Sequence, residues 1–358
     1  MSARQPPASS PGAGPGMTVV IVTHTSGAQV EPALRALEPQ LAGGDELVVV
    51  DNASSDDTAS LVRRVAPRAR VLEQGRTLGF AGAANAGAAA ARTPRLFLLN
   101  PDAVPAPGCL DALRSAAADE PGWAAWQPLV TLPGGVAINT SGGVVHFLGL
   151  SWAGACGEPV AQAPPAPVEG GFASGAALVV RRESWERLGG FDERFFMYCE
   201  DLDLSLRLRL AGHGVGVVPG ARVEHDYEFG KGARKWLLLE RNRWWSLLSS
   251  YPAPLLALLA PALLASELAL LAVALQGGWL PSKLRAQAAV ARELPAILRR
   301  RRQVQATRAV SAAAFAAHLS ARLDSPYLAG AARFPPIVAA QRGYWALVRL
   351  ALGASSRS

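Results

Sequence analysis

The chain has 358 residues, half of them hydrophobic, and its 35 Lys and Arg against 28 Asp and Glu give a net charge of +7. That length is enough for one large domain plus an extension, and the basic balance suits anionic partners such as nucleotide phosphates or acidic lipid without choosing among them. The three cysteines, Cys109, Cys156 and Cys199, have no CxxC spacing, which argues against a disulfide framework or structural zinc and fits a reducing compartment.

Residues 1–16 are rich in Pro, Gly, Ala and Ser and carry no apolar stretch. They read as a disordered leader rather than a signal peptide, which leaves the folded part in the cytosol. The run Met17–Val22 closes at Thr23-His24-Thr25, a helix is expected from about Ala28 to Leu41, and a second run, Glu46–Val50, closes at Asp51-Asn52. The pattern repeats with Arg70–Leu72, a helix over Ala81–Ala91, and Arg95–Leu99 ending at Asn100-Pro101-Asp102. Short Val, Ile and Leu runs alternating with helices predict buried parallel strands. Their polar residues cluster at strand ends, where open α/β sheets bind ligands.

Beyond Pro121 the sequence turns to short strands with glycine turns over 123–180, interrupted by a Pro/Ala stretch at Glu158–Pro167 that reads as a mobile loop. A helix from Arg181 leads to Gly189-Gly190-Phe191-Asp192, another spans about Asp201–Ala211, and strands follow at Val215–Val218 and Val223–His225. From Trp244 to Ser282 the only charged residue is Glu267, and Ala253–Leu275 is long enough to cross a bilayer at about 20 residues. Trp244, Trp245, Tyr251 and Trp279 flank it as interfacial aromatics would.

Basic residues lie on both sides: Lys231, Arg234, Lys235, Arg241 and Arg243 before, and Lys283, Arg285, Arg292 and Arg299 to Arg302 after. Both flanks therefore prefer the cytosol, and Pro261 inside the run is expected to break or kink a helix. A re-entrant hairpin or an in-plane helix pair fits better than a single crossing. After Gln303 the sequence is amphipathic in places over Ala306–Leu323 and irregular around Pro335-Pro336. The arginines gather beside the apolar segment rather than among exposed aromatics, so nucleic acid is the poorest partner.

Several acids are candidates for chemistry. Asp51, with Asn52 beside it, can accept from a nucleotide base or ribose at a strand end, or cap the next helix. Asp102, beside Asn100, can hold a hard divalent cation against a diphosphate, or shape an Asn-Pro-Asp turn. The glycine-rich Gly79-Phe80-Ala81-Gly82, leading to Asn85 and Gly87, permits either ligand approach or close helix packing, and it lacks the lysine of a P-loop. Glu200-Asp201-Leu202-Asp203 follows an aromatic run and offers either helix-start acids or a general base, with Asp203 the structural member. His225, between Glu224 and Asp226, is either structural or the completion of a metal shell.

In order along the chain stand Val19-Val20-Ile21-Val22-Thr23, Val50-Asp51-Asn52-Ala53-Ser54, Leu78-Gly79-Phe80-Ala81-Gly82-Ala83-Ala84-Asn85, Leu99-Asn100-Pro101-Asp102, Ser174-Gly175-Ala176 and Gly189-Gly190-Phe191-Asp192-Glu193-Arg194-Phe195-Phe196-Met197-Tyr198-Cys199-Glu200-Asp201-Leu202-Asp203-Leu204. Together they resemble the inverting family 2 glycosyltransferases, especially the bacterial rhamnosyltransferase-like branch, over about Met17 to Tyr251. The resemblance implies a type A glycosyltransferase fold: a Rossmann-like, mostly parallel sheet flanked by helices, here with an apolar helical extension. It implies a catalytic domain over 17–243, split into a nucleotide-sugar half (17–120) and an acceptor half (121–243). An apolar membrane-associated segment (244–282) and a basic helical region (283–358) would follow.

By position, the resemblance gives nucleotide-sugar contacts to Thr23, Asp51, Asn52, Gly79, Asn85 and Asn100. It gives metal ligation to Asp102, at the last acid of a DxD motif whose first place is held by Asn100, and to His225. Asp201 would be the base, with Glu200 seating the acceptor or the helix end. The implied cofactor is Mg²⁺ or Mn²⁺ and the implied donor is a nucleoside diphosphate sugar, while the apolar segment beside the catalytic part points to a cell-envelope or lipid-linked glycan acceptor at the cytosolic membrane face. Two other readings compete: a nucleotidyltransferase, although Thr23-His24-Thr25-Ser26-Gly27 offers no basic residue, and a non-catalytic carbohydrate-binding relative.

Overall fold

Strand β1 (Met17–Thr23) is buried along its whole length, as a β-branched run with a helix on either side requires. It pairs in parallel with β2 (Glu46–Asp51) on one side and β4 (Arg95–Leu99) on the other, with Val20 opposite both Val48 and Leu98. The computed structural model describes residues 16–226, 232–323 and 335–355. The expected leader lies almost wholly outside the described residues, as does Lys231.

The other strands are β3 (Arg70–Glu73), β5 (Ala103–Pro105), β6 (Trp123–Thr131), β7 (Ile138–Thr140), β8 (Gly143–Val145), β9 (Ser151–Ala153), β10 (Val168–Glu169), β11 (Ala177–Arg181) and β12 (Gly214–His225). They build a ten-stranded sheet with the order β10-β12-β6-β11-β4-β1-β2-β3, with β5 beside β12 and β7 beside β6. Strands β1 to β4 are parallel, and β11 runs antiparallel between β4 and β6. Chain order reverses between β1 and β4, which opens a crevice at their carboxyl ends.

Alternate residues of β1 enter opposite cores. Met17, Val19 and Ile21 pack with α1 (Gly27–Leu37), α2 (Thr58–Val65) and α4 (Cys109–Asp119). Val20 and Val22 pack with α3 (Gly79–Ala89), α5 (Arg182–Leu188) and α6 (Glu200–Leu210). The period of two in the strands thus makes a three-layer sandwich. The Pro/Ala stretch is tied down by a 3-10 turn at Val160–Gln162 and a bridge from Ala137 to Pro159.

A helical layer follows: α7 (Gly232–Ser250), α8 (Ala253–Gln276), α9 (Leu280–Ala306), α10 (Ala312–Ala316) and α11 (Pro335–Ser355). Residue 243, expected to end the catalytic domain, falls inside α7. Pro261 does not break α8, contrary to expectation. It lies on the exposed side of the helix, as does Ala257, whose carbonyl loses its partner, so that group faces outward instead of into the core. Two expected strands near 215–225 are one strand, β12, whose pairing with β6 shifts between Val218 and Arg222. Pro335-Pro336 opens α11 rather than lying in irregular chain, since the first turn of a helix tolerates proline.

Two of the four expected interfacial aromatics are corrected. Trp245 and Tyr251 are buried, the indole donating to Glu293 at 2.9 Å and the phenol to the His146 carbonyl at 3.3 Å. Trp279 stacks on Trp236 at 4.7 Å. These rings fill joints between α7, α9 and the body, where a polar tip finds a partner.

Candidate active site

Thr23 ends β1 and Asp51 ends β2, opposite each other in the register. Thr23 Oγ1 donates to Asp51 Oδ1 at 3.3 Å, and Ser54 Oγ donates to the same oxygen. Helix α2 begins only at Thr58 with Asp57 at its cap position, so Asp51 does not cap it and its carboxylate stays at the crevice. Asn52 is committed to the backbone. Its Oδ1 accepts from Leu78 N–H at 2.8 Å and its Nδ2 donates to the Gly79 carbonyl at 3.3 Å, fixing the loop before α3.

The glycines of α3 answer to packing. Gly79 has φ of 70°, and a Cβ there would meet the Phe196 carbonyl oxygen at 2.4 Å. A Cβ at Gly87 would meet Val20 at 2.3 Å. Of the two alternatives held open in the sequence, close packing explains both residues. Asn85 is likewise engaged: its Nδ2 donates to the Phe191 carbonyl at 2.9 Å and its Oδ1 accepts from Phe191 N–H at 3.0 Å. It clamps α3 to the Gly190-Phe191 turn, so Asn52, Gly79 and Asn85 shape the crevice wall from behind.

At the end of β4, Asn100 Nδ2 lies 3.4 Å from His225 Nε2, and Asp102 Oδ1 lies 3.2 Å from the same nitrogen. Strand β5 causes this meeting, because it pairs with β12 and sets Ala103 opposite His225. The Asp102 side chain is 28% exposed while that of His225 is 4% exposed. Asn100 and His225, 125 residues apart, therefore share one spot with Asp102.

The acid pair opens α6. Asp201 Oδ2 accepts from Gly175 N–H at 2.8 Å, and its Oδ1 accepts from Leu202 N–H at 2.7 Å. Glu200 is buried, and its Oε2 has no hydrogen-bond partner among the described residues. Burial first, and the neighbouring Asp201 second, push the Glu200 carboxyl from 4.5 up to about 8. Burial also raises the Asp201 carboxyl, against the pull of the two backbone N–H groups. Asp203 points away to Arg207 at 2.8 Å and Arg300 at 2.6 Å, the structural role expected of it.

The loop before α6 is held under strain. Phe196, Tyr198 and Cys199 have φ of 62°, 71° and 65°, a conformation that costs a non-glycine residue about 1–3 kcal/mol. Asn242 of α7, fully buried, donates through Nδ2 to the carbonyls of Phe195 at 3.1 Å, Met197 at 3.0 Å and Tyr198 at 2.7 Å. Sequence reasoning missed Asn242, and it missed that Gly175 anchors Asp201. It also missed the buried Gln127, whose Oε1 accepts from Ser174 N–H at 2.7 Å. The motif Ser174-Gly175-Ala176 was the available signal for that turn.

Strand order and strand-end acids place the chain among open α/β proteins that bind their ligand at a topological switch point. The family model "Glycosyl transferase family 2" matches residues 18–131, and "Glycosyl transferase family group 2" matches 96–284. The chain belongs to glycosyl transferase family 2 and is a sugar-transfer enzyme of the rhamnosyltransferase-like kind.

The chain is 33% identical over 240 residues to the N-acetylglucosaminyl-diphospho-decaprenol L-rhamnosyltransferase of Mycobacterium tuberculosis (strain ATCC 25618 / H37Rv), covering 60% of this chain and 78% of that one. It is 44% identical over 78 residues to rhamnosyltransferase WbbL of Escherichia coli (strain K12), covering 20% of this chain and 30% of that one. Among solved structures it resembles GalNAc-T7 with UDP, GalNAc and Mn²⁺, at a TM-score of 0.55 and 17% identity, covering 68% of this chain and half the length of that one. That likeness concerns the fold, which is the type A glycosyltransferase fold.

Proposed function

We propose that the chain transfers an L-rhamnosyl or closely related deoxyhexosyl group from a nucleoside diphosphate sugar to a hydroxyl of a lipid-diphosphate-linked glycan, with inversion, at the cytosolic membrane surface. The observation that carries this reading is the Ser174–Ala176 turn. Its Gly175 N–H holds Asp201 at 2.8 Å while its Ala176 carbonyl accepts from Asn100 N–H at 2.9 Å. One turn thus ties the end of β4, where Asn100 precedes Asp102, to the acceptor-side acid Asp201. The similarity to the mycobacterial L-rhamnosyltransferase supports the choice of sugar and acceptor.

Thr23 and Asp51 receive the nucleotide base at the ends of β1 and β2. Asn100, Asp102 and His225 face the diphosphate. The donor set fits a divalent cation, Mg²⁺ or Mn²⁺: Asp102 offers a hard oxygen 3.2 Å from the His225 ring nitrogen. Among the described residues no cluster of three His, Cys, Asp or Glu forms, so donor phosphates and water would complete the shell. When bound, such an ion neutralises charge on the departing diphosphate.

Asp201 takes the proton of the acceptor hydroxyl, the hydroxyl oxygen bonds to the anomeric carbon, and the carbon–phosphate oxygen bond on the opposite face breaks. A single base is enough for one displacement, unlike the two carboxylates and water of a glycoside hydrolase. Burial supports this role, because a raised carboxyl is a stronger base. Glu200, pushed up to about 8 by burial and by Asp201, keeps its proton at neutral pH and seats the acceptor.

The test is transfer to a GlcNAc-diphospho-lipid, or to a short-chain analogue, with a panel of UDP-, dTDP- and GDP-sugars in Mn²⁺, Mg²⁺ or EDTA. Metal-dependent transfer from a deoxyhexose donor with an inverted anomeric product is expected. A retained configuration, or transfer only from a hexosamine donor, would overturn the proposal.

A further inference from the structure

The apolar helix α8 is not an isolated span. Leu255, Leu259, Leu263, Leu270 and Ala274 form one buried stripe along its length, and Leu255, Leu259 and Leu263 enter a core shared with Leu206 and Leu210 of α6. Its one charge, Glu267, continues that stripe. Glu267 meets Arg243 of α7 and accepts from Lys283 Nζ at 2.7 Å and Gln287 Nε2 at 3.0 Å, both on α9. Tyr344 of α11 donates to the Leu258 carbonyl. A lone helix crossing a bilayer would have lipid on every side, whereas this one is fastened along one face to α6, α7, α9 and α11. Its outer side carries Leu264, Leu268 and Leu275, each more than 60% exposed.

Helix α9 adds a different signal. Ser282, Lys283, Ala286, Ala289, Ile297, Arg300 and Val304 are its buried face. On the outside, Leu284, Ala288, Ala291, Pro295 and Leu298 are all exposed and step by four and three, one continuous apolar stripe. Arg285, Arg292 and Arg299 recur every seventh position along its edge, with Arg302 one turn past Leu298, and all four are exposed. Arg292 lies 3.7 Å from Glu293, and Arg285, Arg299 and Arg302 make no ion pair among the described residues. A surface helix of a soluble protein turns its apolar side inward, but α9 has a second apolar side facing out, bordered by arginines.

We propose that the outer face of α9, with the exposed leucines of the adjoining α8, seats the chain in the plane of a bilayer rich in anionic lipid, without crossing it. This deepens the membrane placement given above and rests on it. The apolar stripe enters the headgroup–acyl boundary, and the arginine row meets lipid phosphates. The net charge of +7 has the sign this contact needs.

The experiment is flotation of the purified full-length chain with vesicles of phosphatidylcholine alone or with phosphatidylglycerol, at low and high salt. It is run beside donor hydrolysis in solution. Binding to the anionic vesicles is expected, weakened by salt. The triple variant Arg285→Glu, Arg292→Glu, Arg299→Glu should bind at least roughly tenfold more weakly, with unchanged donor hydrolysis. A second variant, Leu284→Ser with Leu298→Ser, should weaken binding at both salt levels. Equal binding to neutral and anionic vesicles, or a triple variant that binds as the parent does, would overturn the proposal. Loss of donor hydrolysis in the parent would count against the sugar-transfer reading and leave the vesicle result standing on its own.

Discussion

Asn242 of α7 donates to the carbonyl of Tyr198 across 2.7 Å, joining residues 44 positions apart. The contact holds a loop whose Phe196, Tyr198 and Cys199 are all in the left-handed region, immediately before Glu200 and Asp201. Backbone strain of that kind persists only where surrounding structure over-determines it, and one buried amide meets three carbonyls there.

Replacing Asn242 with Ala should therefore misplace the acid pair. We expect kcat to fall by roughly 10–100-fold with donor KM little changed, and stability to fall by about 2 kcal/mol. Steady-state kinetics and urea unfolding read the two effects separately. A change in stability with unaltered kcat would show that the loop holds its shape without this residue.

Asp102 and Asp201 serve opposite sides of the reaction in this proposal. Asp102→Ala should abolish metal-dependent donor binding in calorimetry. Asp201→Asn should bind donor as the parent does yet lose turnover by about 10²–10⁴-fold, the range for a general base. If Asp201→Asn retained more than a tenth of the activity, the base would have to be sought elsewhere.

The pair also sets a pH dependence. Activity should rise as Asp201 ionises, at a pH above that of an ordinary aspartate because burial raises it, and a second limb near 8 should mark loss of the Glu200 proton. Glu200→Gln should remove the upper limb and spare the lower one. The stability effect has a definite sign. A carboxyl raised on folding contributes stability that is full below its unfolded value of 4.5 and lost as pH climbs through about 8. Glu200→Gln should then melt a few degrees higher than the parent at pH 9, by calorimetry, with little difference at pH 4.

Glu267 distinguishes a docked helix from a spanning one. In a helix surrounded by lipid, exchanging its one acid for Leu would favour insertion. Here Glu267→Leu leaves Arg243 and Lys283, buried at 5% and 0% exposure, with Glu240 as their one shared acid among the described residues. A loss of about 3 kcal/mol is expected in chemical denaturation, as for a broken buried ion pair. An equal or higher melting point would mean that α8 does not depend on this cluster.

Much of the donor half was legible in the sequence, because its information is local. A β-branched run between two helical stretches has few places to go but a parallel sheet, so β1, β2 and β4 and the strand-end positions of Thr23, Asp51, Asn100 and Asp102 followed from residue order. The helix-start acids followed likewise, including the separation of Asp203 from Asp201, since two residues along a helix turn a side chain to another face.

What the tertiary structure decided was every relationship between distant segments. Periodicity says which face of an element is apolar, not which partner it meets. It did not tell that Asn52 and Asn85 bind backbone or that Gly79 is small because Phe196 presses on it. Nor did it tell that β5 brings Asp102 to His225, or that Gly175 and Asn242 position the acid pair. The apolar run at 253–275 was plain in composition, yet what its one carboxylate meets was not. Composition counts Glu267 as a single charge in a long apolar helix; the fold pairs it with Arg243 and Lys283 and so fastens that helix to the body.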